Sequence, residues 1–436
     1  MKALGIDIGT TTISAVVTEG GAILHIENIP NGTEIRTDRQ FEYLQDVKTI
    51  FDKVSALVDN IFAQYPDLTC IGFTGQQHGI VYLDKDGNPL SPLYTWQDRR
   101  GLVRMADGRT YAETLSELTG YPMATGYGLT THYYNLQNGL VPDNAAVFCT
   151  IHDYAAMRLA GLTSPRTDAS DAASFGLFDV ECGEFDLDAL RKAGMDSAIL
   201  PEVSKTPYLG TGALGIPVYT AIGDNQASFL GSVGGRKNCI LLNAGTGGQF
   251  SAHTESYLSC PGLETRPYPA GGYLMVGSLL CGGRAYALLE NFFRRTAEVM
   301  TGEKPESCYE RMAALADTAV EGSPEVVPLF CGTRADPSLR ASVTGLSEDN
   351  FTPEHLLAGL LRGMAKEYFS YAEFFFAAGG KYSALIGSGN GIRKNPALVK
   401  CIEAAFGTPL EISDRPEEAA CGAAFYAEAA YARNDI

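Results

Sequence analysis

Gly5-Ile6-Asp7-Ile8-Gly9-Thr10-Thr11-Thr12 is the stretch that decides the fold, because its pattern returns far downstream. An offset of 236 lays Leu242-Asn243-Ala244-Gly245-Thr246 over Ile6-Asp7-Ile8-Gly9-Thr10. Each copy runs apolar, Asp or Asn, any residue, Gly, Thr, and then into a second apolar stretch, the pattern of a strand–turn–strand hairpin. Working outward from the first copy, Lys2–Asp7 and Ile13–Thr18 are its strands, and Glu19-Gly20-Gly21 turns into a third strand, Ala22–Asn28. Between Gln40 and Gln64, Leu44, Val47, Phe51, Val54, Leu57, Val58, Ile61 and Phe62 fall at helical spacing, and Cys70–Phe73 follows as a short buried strand. A hairpin followed by helix–strand alternation predicts an α/β domain with a mixed sheet rather than a purely parallel one.

Around the second copy, Asn238–Asn243 and Gln249–His253 are the strands. Helices are expected over Gly283–Ala297, Pro353–Ala378, Pro396–Phe406 and Arg415–Ala430, with a strand at Ser383–Ile386 running into Gly387-Ser388-Gly389-Asn390-Gly391. A repeat at domain length predicts two related domains facing each other. The boundary is placed near Pro217, ahead of a strand Val218–Ile222, giving domains 1–217 and 218–436.

Composition narrows the partners. A net charge of −18 argues against a nucleic-acid partner, whose phosphates it would repel. No apolar run is long enough to span a membrane. Asp7 stands too early for the apolar core of a signal peptide, so a cytoplasmic location is expected. The 10 cysteines are scattered without a C-x-x-C pair, and the 6 histidines form no H-E-x-x-H, which argues for reduced thiols and against a structural metal site.

Two nucleotide signatures are missing. There is no G-x-x-x-x-G-K-[ST], and Gly387-x-Gly389-x-Gly391 has the wrong spacing for G-x-G-x-x-G. What remains is the pair of Gly-Thr turns, whose backbone N–H groups and hydroxyls can nest an anion. Gly9, Thr10, Thr11 and Thr12 form the first and Gly245 and Thr246 the second. Asp7 stands where a magnesium ion on phosphates needs a hard oxygen ligand. Neither turn carries a lysine, so metal and backbone dipoles must neutralise the phosphates.

At this point the chain resembles the FGGY carbohydrate kinases, a branch of the actin, Hsp70 and hexokinase superfamily. Gly5–Thr12 looks like the opening signature of that family. Gly75-Gln76-Gln77-His78-Gly79 and Trp96-Gln97-Asp98-Arg99-Arg100 resemble its sugar-side loops, Gly223-Asp224-Asn225-Gln226 its catalytic turn, and Gly387-Ser388-Gly389-Asn390 its adenosine loop. The resemblance implies two RNase H-like domains, each a mixed sheet flanked by helices, with the active site in the cleft between them. It also implies phosphorylation of a sugar hydroxyl by ATP with magnesium. Thr95–Asp98, Asp171–Gly176 and Asp336–Gly345 look closest to the members that phosphorylate sedoheptulose. Two positions depart from the ketose-kinase pattern, Gln77 where Met is usual and Arg99 where Gly is usual.

Roles follow from the resemblance residue by residue. Asp224 is expected as general base and, with Asp7, as a magnesium ligand. Read from spacing alone, it is equally an N-cap of the helix Gln226–Val233. Gln77, His78, Asp98, Arg100 and Asn225 are expected at the sugar, with Trp96, the only tryptophan, as a flat platform for it. The charge around Trp96 argues against a core position. Tyr127 and His132, in Thr125–Tyr134, are placed in the same pocket. Gly387, Gly389 and Asn390 are expected at the purine or ribose, and Gly283 at the opposite wall. A xylulose or polyol kinase, a kinase-like sensor without turnover, and an ATP-driven conformational protein of the actin or chaperone kind stay open, as does a homodimer.

Overall fold

Both hairpins form around their Gly-Thr turns. In this computed structural model, which describes residues 1–269, 271–316, 321–333 and 336–433, β1 (Lys2–Ile8) pairs antiparallel with β2 (Thr12–Glu19), and β2 with β3 (Ala22–Pro30). Helix α1 (Val47–Gln64) starts later than the apolar spacing suggests. Asp46 caps it, accepting from the Thr49 N–H at 2.7 Å. Leu44 and Gln45 instead pair as a two-residue strand with Glu34–Ile35 and Leu93–Tyr94. The apolar face of α1, including Val47, Ile50, Val54 and Ile61, joins one core with Leu4, Ile6 and Phe73 of the sheet.

β4 (Leu68–Gly75) runs parallel to β1, with Asp7 opposite Thr74 and Ile8 opposite Gly75. Helix α2 (Ile151–Leu159) and the short α3 (Ala169–Ala172) follow. β5 (Tyr208–Gly210) then pairs with β6 (Val218–Tyr219). The strand expected over Val218–Ile222 is split. β6 meets β4 at Ile71, and a separate β7 (Ile222–Gly223) meets it at Thr74 and Gly75. The sheet order is β5-β6-β4-β1-β2-β3, with β7 beside β4. Helix α4 (Asp224–Val233) leaves directly from β7.

The second unit repeats the plan. β8 (Cys239–Ala244) and β9 (Gly248–Thr254) are its hairpin, with β10 (Glu264–Pro267) and β11 (Tyr273–Leu279) beyond β9. After α5 (Gly282–Thr301) and α6 (Pro353–Ala377), β12 (Ala384–Ser388) lies parallel to β8, with Asn243 opposite Ser388. Short α7 (Asn390–Arg393), α8 (Pro396–Phe406) and β13 (Leu410–Ile412) complete the order β10-β11-β9-β8-β12-β13. In both sheets the first hairpin strand thus has an antiparallel partner on one side and a parallel one on the other. The position matching Asp7 carries Asn243. The repeat read from the sequence is therefore a repeat of topology, with the second turn one residue shorter: Ile8 pairs with Ile13, but Ala244 with Gly248.

The chain ends in α9 (Glu418–Ala432), and this helix belongs to the first unit. That unit comprises Met1–Gly235, Pro267–Gly271 and Arg415–Ile436, and the second Arg236–Arg266 and Gly272–Asp414. The division falls at Gly235 rather than near Pro217, because β6 and β7 pair with β4 and α4 packs on α9. Glycines set that packing. A Cβ on Gly422 would stand 1.9 Å from the Ala227 carbonyl oxygen, and one on Gly231 1.9 Å from that of Glu418. On the other side of α9, a Cβ on Gly5 of β1 would lie 1.9 Å from the Ala420 oxygen, and one on Gly72 of β4 2.1 Å from that of Ala423. Helix α9 is thus in backbone contact with β1, β4 and α4 at once.

Candidate active site

Two carboxylates stand at the ends of the two strands that flank β4 in the first sheet. Asp7 sits one residue before the end of β1, and Asp224 directly after β7. Because β1 and β7 both flank β4 at Thr74–Gly75, two strand spacings, about 10 Å, separate their backbones. Both lie at the carboxyl ends of parallel strands, where open α/β sheets present ligand sites. Asp7, Asp224 and Asn225 are half-buried. The cap of α4 is Gly223, and no side chain closes it. Asp224 is the first residue inside the helix and does not act as an N-cap.

Burial, and then the charge of Asp224, push the Asp7 carboxyl up to about 7, against the opposing pull of His152. A group held this way gains from a divalent cation. Among the described residues no three His, Cys, Asp or Glu side chains converge to hold a metal. Two carboxylates without a closed cage fit a magnesium ion that would be carried in on phosphates and completed by water.

The first Gly-Thr turn is pinned from several sides. The Asn31 amide donates to the Gly9 carbonyl at 2.8 Å, and the Gln45 amide to that of Thr10 at 2.8 Å. The Thr10 hydroxyl donates to Gln76 Oε1 at 3.4 Å and accepts from the Trp96 indole N–H at 3.0 Å. Thr11 and Thr12 are exposed beside it. Trp96 is 47% exposed, so the tryptophan lies on the surface at the turn rather than in a core. His78 stacks on Tyr127, their rings 4.8 Å apart and 7° from parallel. Its Nδ1 lies 2.7 Å from the Ser174 carbonyl oxygen, an acceptor, so Nδ1 carries the proton and a neutral ring has its lone pair at Nε2. His78 takes a φ of 72°, a left-handed conformation that a non-glycine residue adopts at a cost.

Four of the residues expected at the sugar pocket have buried side chains with partners inside the fold. Asp98 and Arg100 are 0% and 1% exposed and close on each other. Asp98 Oδ1 accepts from Arg100 Nε at 2.7 Å, and Oδ2 from Arg100 Nη2 and the Tyr43 N–H, both at 3.1 Å. Asn135 Oδ1 and the ring of Tyr94, 4.1 Å away, complete the guanidinium's surroundings. The core does tolerate this charge, because the pair is saturated; the outward residues of the stretch are Trp96, Gln97 and Arg99. Gln77 is 4% exposed, and its amide nitrogen donates inward to the Ser170 carbonyl at 3.1 Å and to Asp171 Oδ1 at 3.3 Å. His132 is buried against the Tyr82 hydroxyl, and desolvation lowers its pKa to about 4, so it is a neutral core imidazole.

Behind the carboxylates lies a cluster that the sequence reading did not assign. His152 Nε2 is 2.9 Å from Asp171 Oδ2, both side chains fully buried. Burial works against its charge, but the charge and hydrogen bond of Asp171, with Asp153 and Asp224, outweigh it and raise the pKa to about 9. Ser170 accepts from the Gly223 N–H at 3.1 Å and donates to Asp168 at 2.6 Å. The adjacent polar pair His152-Asp153 in the first turn of a helix whose first seven residues are all buried was the available signal.

In the second unit the expected nucleotide loops meet at one end of the sheet. Gly245, Thr246 and Gly247 are exposed. The first N–H groups of α5 donate to this turn, Gly283 to the Gly245 carbonyl at 2.9 Å and Arg284 to that of Thr246 at 3.0 Å. Gly283 therefore packs directly on the turn: a Cβ there would be 2.5 Å from the Gly245 oxygen. Gly389, at φ 81°, and Gly391 approach the Ala244 carbonyl from the other side, and Asn390 opens α7. Gly387 ends against Ile392 and Leu410. Asn243 donates to the Ser388 hydroxyl at 2.8 Å and so bridges β8 to the glycine loop.

Comparison with known proteins bears on this arrangement. The family model for the N-terminal domain of the FGGY family of carbohydrate kinases matches residues 2–231, and that for its C-terminal domain residues 240–431. The chain is 27% identical to sedoheptulokinase of Mus musculus, covering 93% of each protein. It is 28% identical to glycerol kinase 2 of Streptomyces avermitilis, over 97% of this chain and 87% of that protein. The crystal structure of xylulose kinase from Rhodospirillum rubrum superposes with a TM-score of 0.82 at 22% identity, over 99% of this chain and 90% of that one.

Proposed function

Because the chain belongs to the FGGY family of carbohydrate kinases, we propose that it moves the γ-phosphoryl group of ATP to a ketose hydroxyl, sedoheptulose giving sedoheptulose 7-phosphate. The observation that carries this reading is Asp224, a carboxylate on the first residue of α4, just past its cap, and within electrostatic reach of Asp7. Asp224 takes the proton of the attacking hydroxyl as its oxygen bonds to the γ-phosphorus and the bond to the bridging oxygen of ADP breaks. An ordinary carboxylate suffices, since the proton leaves late in a loose transition state. Asp7, with Asp224, would hold magnesium, which when bound neutralises charge on the phosphates. The exposed turn residues Thr11 and Thr12, with Gly9 and Thr10, and in the second unit Gly245, Thr246, Gly389 and Asn390, would supply backbone and hydroxyl contacts to the nucleotide. Trp96 would give the sugar its flat face, and His78, stiffened by Tyr127 and Ser174, a hydroxyl contact. All ten cysteines are free thiols, which suits a reducing, cytoplasmic setting.

The likeness to glycerol kinase 2 supports a second acceptor class, small polyols. Turnover with Mg-ATP on sedoheptulose, xylulose, other ketoses and glycerol separates the two. Sedoheptulose is expected to give the highest kcat/KM. A clear preference for glycerol or xylulose refutes the finer assignment and leaves the kinase in place.

A further inference from the structure

We propose that Gln77 and Ser170 form a buried brace that clamps the Gly223 backbone and so positions Asp224, and that Gln77 does not contact the sugar. This rests on the reading of Asp224 as the base.

The brace grips one peptide from two directions. On one side, the Gly223 N–H donates to the Ser170 hydroxyl at 3.1 Å, and that hydroxyl is itself fixed by donating to Asp168 at 2.6 Å. On the other, the Gln77 amide packs against the Gly223 α-carbon: a Cβ there would stand 1.9 Å from Gln77 Nε2 and 2.7 Å from its Cδ, with Gln226 Oε1 at 2.6 Å. The same Nε2 donates to the Ser170 carbonyl and to Asp171 Oδ1. Asp171 is held in turn by His152, whose ring packs on the end of β4: a Cβ on Gly75 would be 2.8 Å from its Nδ1. Gln77, Ser170, Asp171 and His152 are all buried to 4% exposure or less. Each side chain therefore locks the next, and the last locked atom is the amide of the residue preceding Asp224.

The chemistry explains why such a support is useful. Asp224 is the first residue of α4 rather than its cap, and the cap, Gly223, has no side chain of its own to pack. A glycine there accommodates the amide of Gln77 but leaves the backbone torsions loose. Orientation of a base to within a few tenths of an ångström is what proton transfer requires. An apolar side chain at position 77 would fill space without donating to Ser170 and Asp171.

Two variants, Gln77→Met and Ser170→Ala, test the brace with two readouts. Hydrogen exchange of the segment around Gly223 reports the clamp without needing activity, and steady-state kinetics with the best ketose report its use. Faster exchange confined to that segment, with kcat down about tenfold or more and sugar KM within about twofold, is the expected result. The double variant should lose little more than either single one, because both act through the same peptide. Unchanged exchange overturns the brace, whatever the kinetics. Loosened exchange with normal kcat in an active enzyme overturns its role in positioning Asp224. A sugar KM raised tenfold at unchanged kcat shows Gln77 contacting sugar and also overturns it. Should Gln77→Met fail to fold, Ser170→Ala, which removes one hydroxyl, carries the test. If no sugar is turned over by the wild type, the kinase reading fails separately, and exchange alone decides the clamp.

Discussion

Replacing Gly422 by alanine adds one methyl group and tests how the carboxylate-bearing elements are held. In an open helix interior this exchange stabilises by about 1 kcal/mol, since alanine is the better helix former. Gly422 is helical and outside the left-handed region, so no torsional penalty intervenes. Space decides the sign. The new Cβ would sit 1.9 Å from the Ala227 carbonyl oxygen and 2.6 Å from its carbon, where ordinary contact begins at 3.4 Å. Relief requires α4 and α9 to part by about 1.5 Å. Overpacking of this kind costs about 1–3 kcal/mol, and here the obstacle is backbone that cannot rotate away. The helix-propensity gain offsets part of it, leaving a net loss of about 1–2 kcal/mol and a fall in Tm of about 2–8 °C. Because Ala227 lies one turn from Asp224 on α4, kcat should fall by at least about tenfold, a shift of about 1 Å being able to cost a hundredfold. Differential scanning fluorimetry and steady-state kinetics are the assays. An unchanged or raised Tm would show that the two helices do not meet backbone to backbone, and would refute the reasoning.

Three further outcomes follow from named contacts. Asp98→Asn leaves the buried Arg100 without its counter-charge and should cost about 3 kcal/mol in urea denaturation with the sugar KM unchanged; full stability with a raised KM would restore Asp98 to the sugar site. Trp96→Phe keeps a flat ring but removes the N–H that reaches Thr10, so ATP KM should rise a few-fold while sugar KM holds, whereas Trp96→Ala should raise sugar KM about tenfold. Asp7, with a folded pKa near 7 against 3.8 in the unfolded chain, favours folding in its protonated form, so its contribution is full below about pH 4 and lost as pH rises through about 7. Without magnesium, and allowing for solvent screening of a half-buried group, Asp7→Asn should equal the wild type only below about pH 3.5, gain on it steadily above that, and exceed its stability by about 2 kcal/mol at pH 8. Parallel Tm–pH curves for the two proteins would contradict that.

How much of this was legible in the sequence differs between backbone and side chains. The hairpins, the matching places of Asp7 and Asn243 on their first strands, and the helix Pro396–Phe406 follow from apolar spacing and turn chemistry, which are local. The start of α1 did not, because Leu44 fits the helical period while Gln45 is drawn into strand pairing with Leu93, a contact distant in sequence. The last helix gave no sign of returning to the first unit; that depends on Gly5, Gly72, Gly231 and Gly422 meeting it, and a glycine does not announce its neighbour. At the site, motif and position in the sequence single out Asp7, Asp224 and the Gly-Thr turns, and the structure places them at strand ends and hairpin turns. Direction was not legible: Asp98, Arg100 and Gln77 sit in the expected stretches but point inward, and only their three-dimensional partners reveal it. A run of charge such as Asp98-Arg99-Arg100 reads as surface until two of its members are seen to neutralise each other.

The central claim, that Asp224 is the base of a sugar kinase, is tested most directly by sugar-stimulated ADP release from Mg-ATP in wild type and Asp224→Asn. The account predicts that a ketose stimulates release in the wild type, and that the variant keeps its Tm and nucleotide binding while losing about 10²–10⁴-fold in kcat. Turnover in the variant within a few-fold of wild type would contradict it.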